Sequence, residues 1–483
     1  MHLTVIQRVT GILIMLFSLT LIPPMLIGLI YQETELDAFI NSYFILLALG
    51  FVLWLPVKNV KKDLRLRDGF VVVVVFWVVL SAAGSLPLIL NQQLDISITD
   101  AVFESISGLT TTGATVIIGL DDLPHSILFY RQELQWLGGM GIIVLAVAIL
   151  PMLGIGGMQL YRAETPGPVK DNKLTPRIAE TARALWYIYL SLTVACALGY
   201  WLAGMNLFDA VSHSFSTVAI GGFSTHDESM GYFDSAAVDM VAIVFMLLGG
   251  VNFALHFAVF KRWNLKVYLR DAEFRMYISV LAIVSVITVA YLQLTDYTRS
   301  FDESLLQGVF HVVSIGTTAG FSASEYYLWP GFLPVLLIFT SFIGGCALST
   351  GGGMKVIRVM LLLKQGMREL TRLIHPNAIV TVKVNKSPVS DNIINAVWGF
   401  FATYVALFAF MMLLLMASGL DQITAFSAVA ATINNLGPGL GEVAANYATI
   451  NDFSKWVLSF SMILGRLEIF TLLVLFIPAF WRK

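Results

Sequence analysis

The chain has 483 residues, of which 57% are hydrophobic and 12% are charged, and its mean hydropathy is +0.80. A soluble domain carries about 25% charged residues, so this composition excludes a soluble globular protein and indicates a polytopic membrane protein. The formal net charge of −2 says little by itself. The two cysteines lie in apolar segments and make no disulfide framework. We expect no nucleic-acid partner.

Residues 1–68 predict two N-terminal membrane spans, near 5–30 and 38–56, joined by the acidic turn Gln32–Asp37. The first apolar stretch lacks a signal-peptide cleavage site, so we interpret it as a retained span. The next link, Lys58–Asp68, is rich in lysine and arginine and should face the cytoplasm, since cytoplasmic loops carry excess positive charge. The N-terminus is therefore predicted to be cytoplasmic.

A motif first seen at 100–115, DAVFESISGLTTTGAT, recurs at 209–224, 307–322 and 424–439. Each copy predicts a helix of about 9–12 residues and then an extended run that ends in glycine. A 12-residue helix is about 18 Å long, roughly half of a bilayer core of about 30 Å. Asp100 and Asp209 are predicted to be N-caps of the first two half-helices. The motifs align on the glycines Gly113, Gly222, Gly320 and Gly437, with Ser107, Ser216, Ser314 and Ala431 six residues earlier.

Each motif lies between two predicted spans, which gives four repeats of span, pore loop and span. With the N-terminal pair this makes ten spans and puts both termini in the cytoplasm. Paired small residues such as Gly138-Gly139 recur in the second spans and favour close helix packing. The repeats are predicted at 69–160, 161–262, 263–390 and 391–483, with spans near 69–91, 126–151, 182–204, 236–260, 276–294, 331–362, 392–418 and 454–480.

The four glycine loops are predicted to surround one central pore as a fourfold pseudo-symmetric filter. Backbone carbonyls can replace the hydration shell of a cation, and glycine tolerates the backbone angles that turn them inward. No carboxylate recurs in all four loops, so a carbonyl cage suits a monovalent ion. The candidate ion-binding residues are Thr111, Thr112, Gly113, Ile220, Gly221, Gly222, Thr318, Ala319, Gly320, Asn435, Leu436 and Gly437.

With its filter segments TTTGAT, AIGGFST, TTAGFSA and NNLGPG, the chain resembles the Trk/Ktr/HKT superfamily of potassium uptake proteins. The additional N-terminal spans and the length are similar to those of its bacterial Trk transmembrane subunit. The resemblance implies an all-α membrane protein that carries K⁺ inward across the bacterial inner membrane by low-affinity, gated transport. Glycine at all four filter positions implies K⁺ selectivity. The resemblance also implies a homodimer with one pore per chain and a cytoplasmic regulatory ring that binds NAD(H) or ATP.

A gate is predicted in the second span of repeat 3. Pro330 to Leu363 is 34 residues, about 51 Å if helical and too long for one span. The glycine-rich segment 344–353 cannot hold a regular helix, and the resemblance implies that it obstructs the ion path. Arg466 is expected to hydrogen-bond its carbonyls, with Glu468 facing elsewhere. The candidate gate residues are Gly345, Ser349, Thr350, Gly351, Gly352, Gly353 and Arg466.

Three alternatives stay open. A K⁺/H⁺ or K⁺/Na⁺ symporter on the same fold would need a titratable group in the path, with Glu468 or Glu104 as candidates. A membrane-embedded enzyme would need convergent catalytic residues, which the sequence does not offer. His213 and His311 share one repeat position, where packing or a local hydrogen bond is favoured over a metal site.

Overall fold

The N-terminal region forms the two predicted spans. The computed structural model describes residues 2–60, 66–144, 174–385 and 387–482. Helix α2 starts afresh after α1 because prolines occupy its first turn, where a missing N–H costs nothing. The segments Leu3–Ile30 and Asp37–Val57 are long and apolar enough to cross a membrane, as predicted. The helices are α1 (Leu3–Leu19), α2 (Ile22–Ile30) and α3 (Asp37–Trp54).

Each repeat consists of a long first helix, a half-helix and a second helix. The half-helices have 12, 13, 17 and 12 residues, so the third is longer than predicted. In chain order the three helices are α4 (Leu66–Leu90), α5 (Ile98–Leu109) and α6 (His125–Val144) in repeat 1; α7 (Leu174–Leu202), α8 (Leu207–Ala219) and α9 (Ala236–Gly249) in repeat 2; α12 (Ala272–Leu294), α13 (Phe301–Thr317) and α14 (Leu333–Ser341) in repeat 3; and α16 (Asp391–Ala417), α17 (Gln422–Ile433) and α18 (Asp452–Arg466) in repeat 4.

Shorter elements connect the repeats, or follow the last helix of repeat 4, on the predicted cytoplasmic side. A two-stranded antiparallel hairpin follows the long amphipathic helix α15, with Lys383 opposite Pro388. These elements are α10 (Phe253–Arg262), α11 (Lys266–Arg270), α15 (Val356–Ile374), β1 (Lys383–Val384), β2 (Ser387–Pro388), α19 (Phe470–Leu473) and α20 (Pro478–Trp481).

The first helices of all four repeats qualify as unbroken spans, which confirms that part of the prediction. Among the described residues, six helices are long and apolar enough to cross a membrane, and four of them open a repeat. Helix α6 runs to Val144, so the predicted end of that span at 145–151 lies outside the described residues. The four repeat-opening spans are Arg67–Leu90, Ala182–Leu202, Ala272–Leu294 and Asp391–Ala417.

The second spans of repeats 2 and 4, predicted near 236–260 and 454–480, are each broken by a bend that the prediction does not include. Helices α9 and α10 meet at 93°, and the chain turns by 106° after α18. The side chain of Asn252 accepts a hydrogen bond from the N–H of Ala254 and starts the new helix α10. After α18, Glu468 and Ile469 take left-handed backbone angles that no α-helix continues. In repeat 3 the predicted break is confirmed, since residues 342–355 separate α14 from α15.

In repeats 1 and 4 a glycine of the paired residues packs the second helix closely against the half-helix. A side chain at Gly138 would overlap the carbonyl oxygen of Leu109, the last residue of α5. Gly465 lies in the same way against the carbonyl oxygen of Ile433, the last residue of α17. The two backbones therefore touch where the half-helices end.

The predicted N-caps Asp100 and Asp209 are wrong by one turn. Ser97 and Asn206 cap α5 and α8, and their side-chain oxygens accept from the N–H groups of Asp100 and Asp209. Each aspartate returns a contact, since Ser97 Oγ donates to Asp100 Oδ2 and Asn206 Nδ2 to Asp209 Oδ2. Each acid therefore lies in the first helical turn and contacts the side chain of the capping residue.

Apolar residues fill the spaces between repeats and also cover the outer surface. One cluster joins the N-terminal helices to repeats 1 and 4 and includes Phe17, Trp77 and Leu415. Outward residues such as Phe44 and Leu202 are exposed, as expected where lipid is the solvent. Buried hydroxyl and amide side chains collect instead where the four half-helices end.

Candidate ion pathway

All four half-helices end in the same hydrogen-bond pattern. The residue just before each filter glycine donates its N–H to the carbonyl of the residue six positions before that glycine. A second bond links the preceding N–H to the carbonyl three residues earlier, so each end is a Schellman motif. The acceptor at this position is a backbone carbonyl, so the alanine of repeat 4 accepts the bond as well as the serines of the other three repeats. The long bonds are Thr112 N to Ser107 O at 2.8 Å, Gly221 N to Ser216 O at 2.8 Å, Ala319 N to Ser314 O at 2.7 Å and Leu436 N to Ala431 O at 2.7 Å.

Each filter loop takes a left-handed backbone conformation at two positions, the glycine and the residue two before it. Thr111, Ile220 and Thr318 are β-branched, and such residues rarely adopt positive φ. Backbone strain of this kind persists only where surrounding structure holds it, and it clusters at functional sites. The values are 50°, 55°, 72° and 53° for Thr111, Ile220, Thr318 and Asn435, and 82°, 77°, 82° and 99° for Gly113, Gly222, Gly320 and Gly437.

The four filter glycines close a ring. At each glycine, a side chain would run into the carbonyl oxygen of the residue that precedes the glycine of the next repeat. The fourth repeat contacts the first, where a Cβ added at Gly437 would lie 2.8 Å from the carbonyl oxygen of Thr112. Glycine is therefore required both by its backbone angle and by the approach of its neighbour. The contacts run from Gly113 to Gly221 O, from Gly222 to Ala319 O, from Gly320 to Leu436 O and from Gly437 to Thr112 O.

An open cavity of about 600 Å³ lies on one side of this ring, and all four filter glycines line it. Its wall includes Asp227, Glu228 and Glu325. Acidic side chains therefore line this mouth, together with residues of all four filter loops.

The segment 344–353 lies directly beneath the ring on the other side. It contacts filter loops 3 and 4 and the end of the half-helix α8, because Gly352 N–H donates to Thr318 Oγ1 at 2.6 Å, Gly353 N–H to Asn434 O at 3.0 Å, and Thr350 Oγ1 to Val218 O at 3.0 Å. A side chain at Gly352 would overlap Asn434 O. The glycines of this segment therefore let its backbone fill the space under the filter.

A much smaller cavity, about 40 Å³, lies beyond that segment. It is lined by Gly351, Gly352 and Gly353 and by three cationic side chains. The outer and inner cavities are separate spaces with the glycine segment between them.

The chain is similar to known transport proteins over its whole length. The family model TrkH, described as a cation transport protein, matches residues 35–483. The Trk system potassium uptake protein TrkH of Vibrio parahaemolyticus is 58% identical over 481 residues, 99% of either chain, and its Escherichia coli K12 counterpart is 56% identical over 483 residues, 100% of either chain. The crystal structure of the potassium transporter TrkH from Vibrio parahaemolyticus covers 100% of both chains with TM-score 0.94 and 55% identity. The chain belongs to the TrkH family.

Arg466 joins the filter to the glycine segment of this TrkH-family chain. Its Nη1 donates to Thr350 O at 3.2 Å, and its Nη2 donates to Thr111 Oγ1 in the first filter loop. The side chain is buried, so both bonds form away from bulk water. The predicted bond between Arg466 and a loop carbonyl is confirmed, and the bond to Thr111 was not predicted.

Glu468 pairs with Arg358 and not with Arg466, as the sequence indicated. Lys355 Nζ donates to Gly351 O within the glycine segment. Three cationic groups therefore surround the underside of this segment, and one of them is compensated by the carboxylate of Glu468.

The fourth filter loop uses amide side chains where loops 1 and 3 use threonine. Asn434 Nδ2 donates to Ser341 Oγ at 3.0 Å. Asn435 Nδ2 donates to Thr112 Oγ1 at 3.0 Å and to Met462 O at 2.9 Å. The two asparagines thus tie loop 4 to repeat 3 and to loop 1, which closes the ring at its last junction.

The histidines at the shared repeat position make local hydrogen bonds. His213 bonds to Asp209 O and Ser224 Oγ, both at 2.9 Å. His311 bonds to Gln307 O at 2.9 Å and to Ser324 O at 3.2 Å. Each ring bridges its half-helix and the chain that leaves the filter. Among the described residues no group of three or more histidine, cysteine and acidic side chains could hold a metal ion.

Sequence reasoning missed Arg131 and Gln135 in α6, which contact the first two filter loops. The signal was present, because Arg131 is a charged residue inside a predicted span, as Arg466 is. Gln135 carries no such signal, because a lone amide in a span resembles any packed polar residue.

At the outer mouth, some of the acidic side chains have specific partners. His226 contacts Asp121 and Asp209 through its two ring nitrogens and stacks on Tyr232 at 3.5 Å between ring centroids. Burial lowers the pKa of His226, but the hydrogen bonds that its ring donates to the carboxylates of Asp209 and Asp121 outweigh burial and raise the pKa above the ordinary value. Asp227 accepts from the N–H groups of Gly119 and Leu120, which joins the outer loops of repeats 1 and 2.

Proposed function

We propose that this chain carries K⁺ inward across the membrane through the ring of four filter loops. The relatives named above are potassium uptake proteins. The single observation that carries the proposal is the closed ring, in which every glycine faces the carbonyl oxygen before the next repeat's glycine. We assign ion coordination to the residues around this ring. They are Thr111, Thr112, Gly113, Ile220, Gly221, Gly222, Thr318, Ala319, Gly320, Asn435, Leu436 and Gly437.

We propose that the segment 344–353 and Arg466 form the gate. Support comes from the hydrogen bonds that hold the segment against the half-helix α8 and against loops 3 and 4, while Arg466 binds both the segment and loop 1. Opening must break these contacts and move the glycine backbone out of the path. The gate residues are Gly345, Ser349, Thr350, Gly351, Gly352, Gly353 and Arg466.

The pore is favoured over a K⁺/H⁺ or K⁺/Na⁺ symporter. Symport needs a carboxylate that takes up and releases protons in the path. The two candidates, Glu104 and Glu468, instead pair with Arg131 and Arg358. Potassium transport is a non-enzymatic function, and we assign the chain no catalytic residue.

We propose that the chain works as a homodimer in the bacterial inner membrane, with both termini cytoplasmic and a nucleotide-binding regulatory ring below. A stripe of exposed apolar residues on α15, just after the gate segment, supports a protein partner on that side. We retain the divisions 1–68, 69–160, 161–262, 263–390 and 391–483 as the functional units. The stripe consists of Leu363, Met367, Leu370, Leu373 and Ile374.

Cation flux into liposomes that contain the purified full chain tests the filter, with the Gly113→Ser variant and the Gly119→Ser control. The added side chain at Gly113 would overlap Gly221 O, whereas nothing lies within 4 Å at Gly119. Both glycines have positive φ, 82° and 73°, so the backbone cost is matched. We expect Gly113→Ser to lose K⁺ preference over Na⁺ and Gly119→Ser to keep it. Equal preference in the two variants would contradict the filter assignment.

A further inference from the structure

Two fully buried polar side chains, Arg131 and Gln135, point from α6 at the filter. They lie one helical turn apart, so they share one face of the helix. Their partners belong to loop 1, to loop 2 and to the half-helix α5. This face therefore spans the junction between the first two repeats.

On the side of loop 1, Arg131 and Glu104 hold the chain just beyond Gly113. The guanidinium donates to Glu104 Oε1 from Nε, at 2.8 Å, and pairs with it through Nη2. The same Nη2 donates to Thr115 Oγ1 at 3.0 Å, and the Thr115 hydroxyl donates to Glu104 at 3.0 Å. Glu104 Oε2 also accepts from the N–H of Val116 at 2.9 Å. The ion pair thus holds the second and third residues after the filter glycine.

On the side of loop 2, the same two α6 residues hold the backbone on both sides of Gly222. Gln135 Nε2 donates to Gly221 O at 2.7 Å, and its Oε1 accepts from the N–H of Phe223 at 3.1 Å. Arg131 Nη1 donates to Ser224 O at 3.0 Å, and its guanidinium lies 4.3 Å from the centre of the Phe223 ring. The carbonyl of Gly221 is the one that faces Gly113 in the ring.

The other repeats lack this arrangement. Arg131 and Gln135 lie seven and three residues before the paired small residues of repeat 1. The residues at the same distances in the other three repeats carry no charge. A buried ion pair adds little net stability, because desolvation offsets its attraction, but it can specify one geometry. The equivalent pairs are Ala242 and Met246 in repeat 2, Leu337 and Ser341 in repeat 3, and Leu458 and Met462 in repeat 4.

We infer that Glu104, Arg131 and Gln135 are positioning residues that set the separation of loops 1 and 2 and thereby the discrimination between K⁺ and Na⁺. The inference rests on the proposed function and goes beyond it, because none of the three coordinates the ion. A filter built from backbone oxygens discriminates by where those oxygens are held. The planar fork of arginine reaches both loops at once, which lysine cannot do.

The test compares Gln135→Leu with Gln132→Leu by K⁺ and Na⁺ flux in liposomes. Gln132 is buried on the same helix, and neither of its amide atoms has a hydrogen-bond partner among the described residues. We expect Gln135→Leu to lower the K⁺ over Na⁺ flux ratio about tenfold, which corresponds to about 1.4 kcal/mol, and Gln132→Leu to leave it unchanged. Arg131→Lys should lower the ratio too, while the charge is kept.

The flux ratio separates positioning from general stability, because a smaller folded fraction lowers the K⁺ flux and the Na⁺ flux in proportion and leaves their ratio unchanged. An unchanged ratio in folded Gln135→Leu protein would overturn the inference. If Arg131→Lys does not fold, Gln135→Leu alone decides. If Gly113→Ser also leaves the ratio unchanged, the filter assignment itself fails, whereas a change in Gly113→Ser without one in Gln135→Leu rejects only the positioning role.

Discussion

The filter has the same structure in all four repeats, whereas the segments below it differ from one repeat to the next. In the filter, all four repeats share one C-terminal motif, one pair of left-handed positions and one contact with the next repeat. Below it, α6 continues through its glycine pair, α9 and α18 end in sharp bends, and repeat 3 opens into the segment 342–355. Fourfold regularity is thus kept where an ion would be coordinated, and it is lost where a single obstruction has to be made.

The asymmetry has a physical reason. Four similar loops can surround one ion, but only one segment can occupy the axis beneath them. The glycines of repeat 3 allow its backbone to reach Thr318 and Asn434, and Arg466 takes the place where the other repeats have their second small residue. The predictions below test the two regions in turn.

The largest expected effect breaks the ring itself. Gly222→Ala places a side chain into Ala319 O, whereas at Gly437 the nearest carbonyl oxygen is 2.8 Å away. We expect Gly222→Ala to lower the K⁺ over Na⁺ flux ratio by tenfold to a hundredfold, matching about 1–3 kcal/mol of backbone strain, and Gly437→Ala to lower it less. Flux in liposomes measures both, and a larger loss at Gly437 would contradict the ring geometry.

The next effect tests the region below the filter. Arg466→Ala removes the hydrogen bonds to Thr350 O and Thr111 Oγ1. Hydrogen bonds to charged groups contribute about 1.5–3 kcal/mol each, so we expect K⁺ flux to rise about tenfold or more. The control is Arg368→Ala, because Arg368 is also buried but pairs with Asp391 away from the path. Flux that stays unchanged in Arg466→Ala would remove Arg466 from the gate.

The smallest effect concerns the outer loops. Because the folded-state pKa of His226 is raised, its ion pairs stabilise the fold fully below the ordinary histidine pKa of about 6.5. That stabilisation is lost as the pH rises through the raised folded-state value. We expect His226→Gln to remove about 1 kcal/mol or less at pH 5.5 and almost nothing at pH 9.

Thermal unfolding across this pH range measures the His226 contribution, with the exposed His375→Gln as control. A difference between wild type and His226→Gln that grows with rising pH has the wrong sign and would reject the assignment. Flux should change little, because His226 lies outside the ring.

The regular half of the molecule could be predicted from the sequence, and the irregular half could be predicted only in part. Four glycines at matching offsets predict four equal loops, because each offset corresponds to one hydrogen-bond pattern. The bend after Gly249 is hidden, since the chain stays apolar through Phe253 and hydropathy does not register direction. The break at 344–353 was visible because five glycines concentrate there.

Within the site, the backbone conformation of the loops was easier to predict than the hydrogen-bond partners of the side chains. Glycine reports a conformation directly, so the ring residues could be named from spacing alone. Asp100 was mistaken for a cap because Ser97, three residues earlier, satisfies the same helix end. Arg131 and Gln135 act on loops far away in sequence, and no local pattern indicates which loop a buried side chain reaches.

The central claim is that one ion lies on the axis shared by the four filter loops. Crystals of the full chain soaked in Rb⁺ measure this directly, because Rb⁺ stands in for K⁺ and scatters anomalously. The account predicts an anomalous peak inside the ring, surrounded by backbone oxygens from all four repeats. A peak that contacts fewer than four loops, or an ordered filter with no peak at saturating Rb⁺, would contradict it.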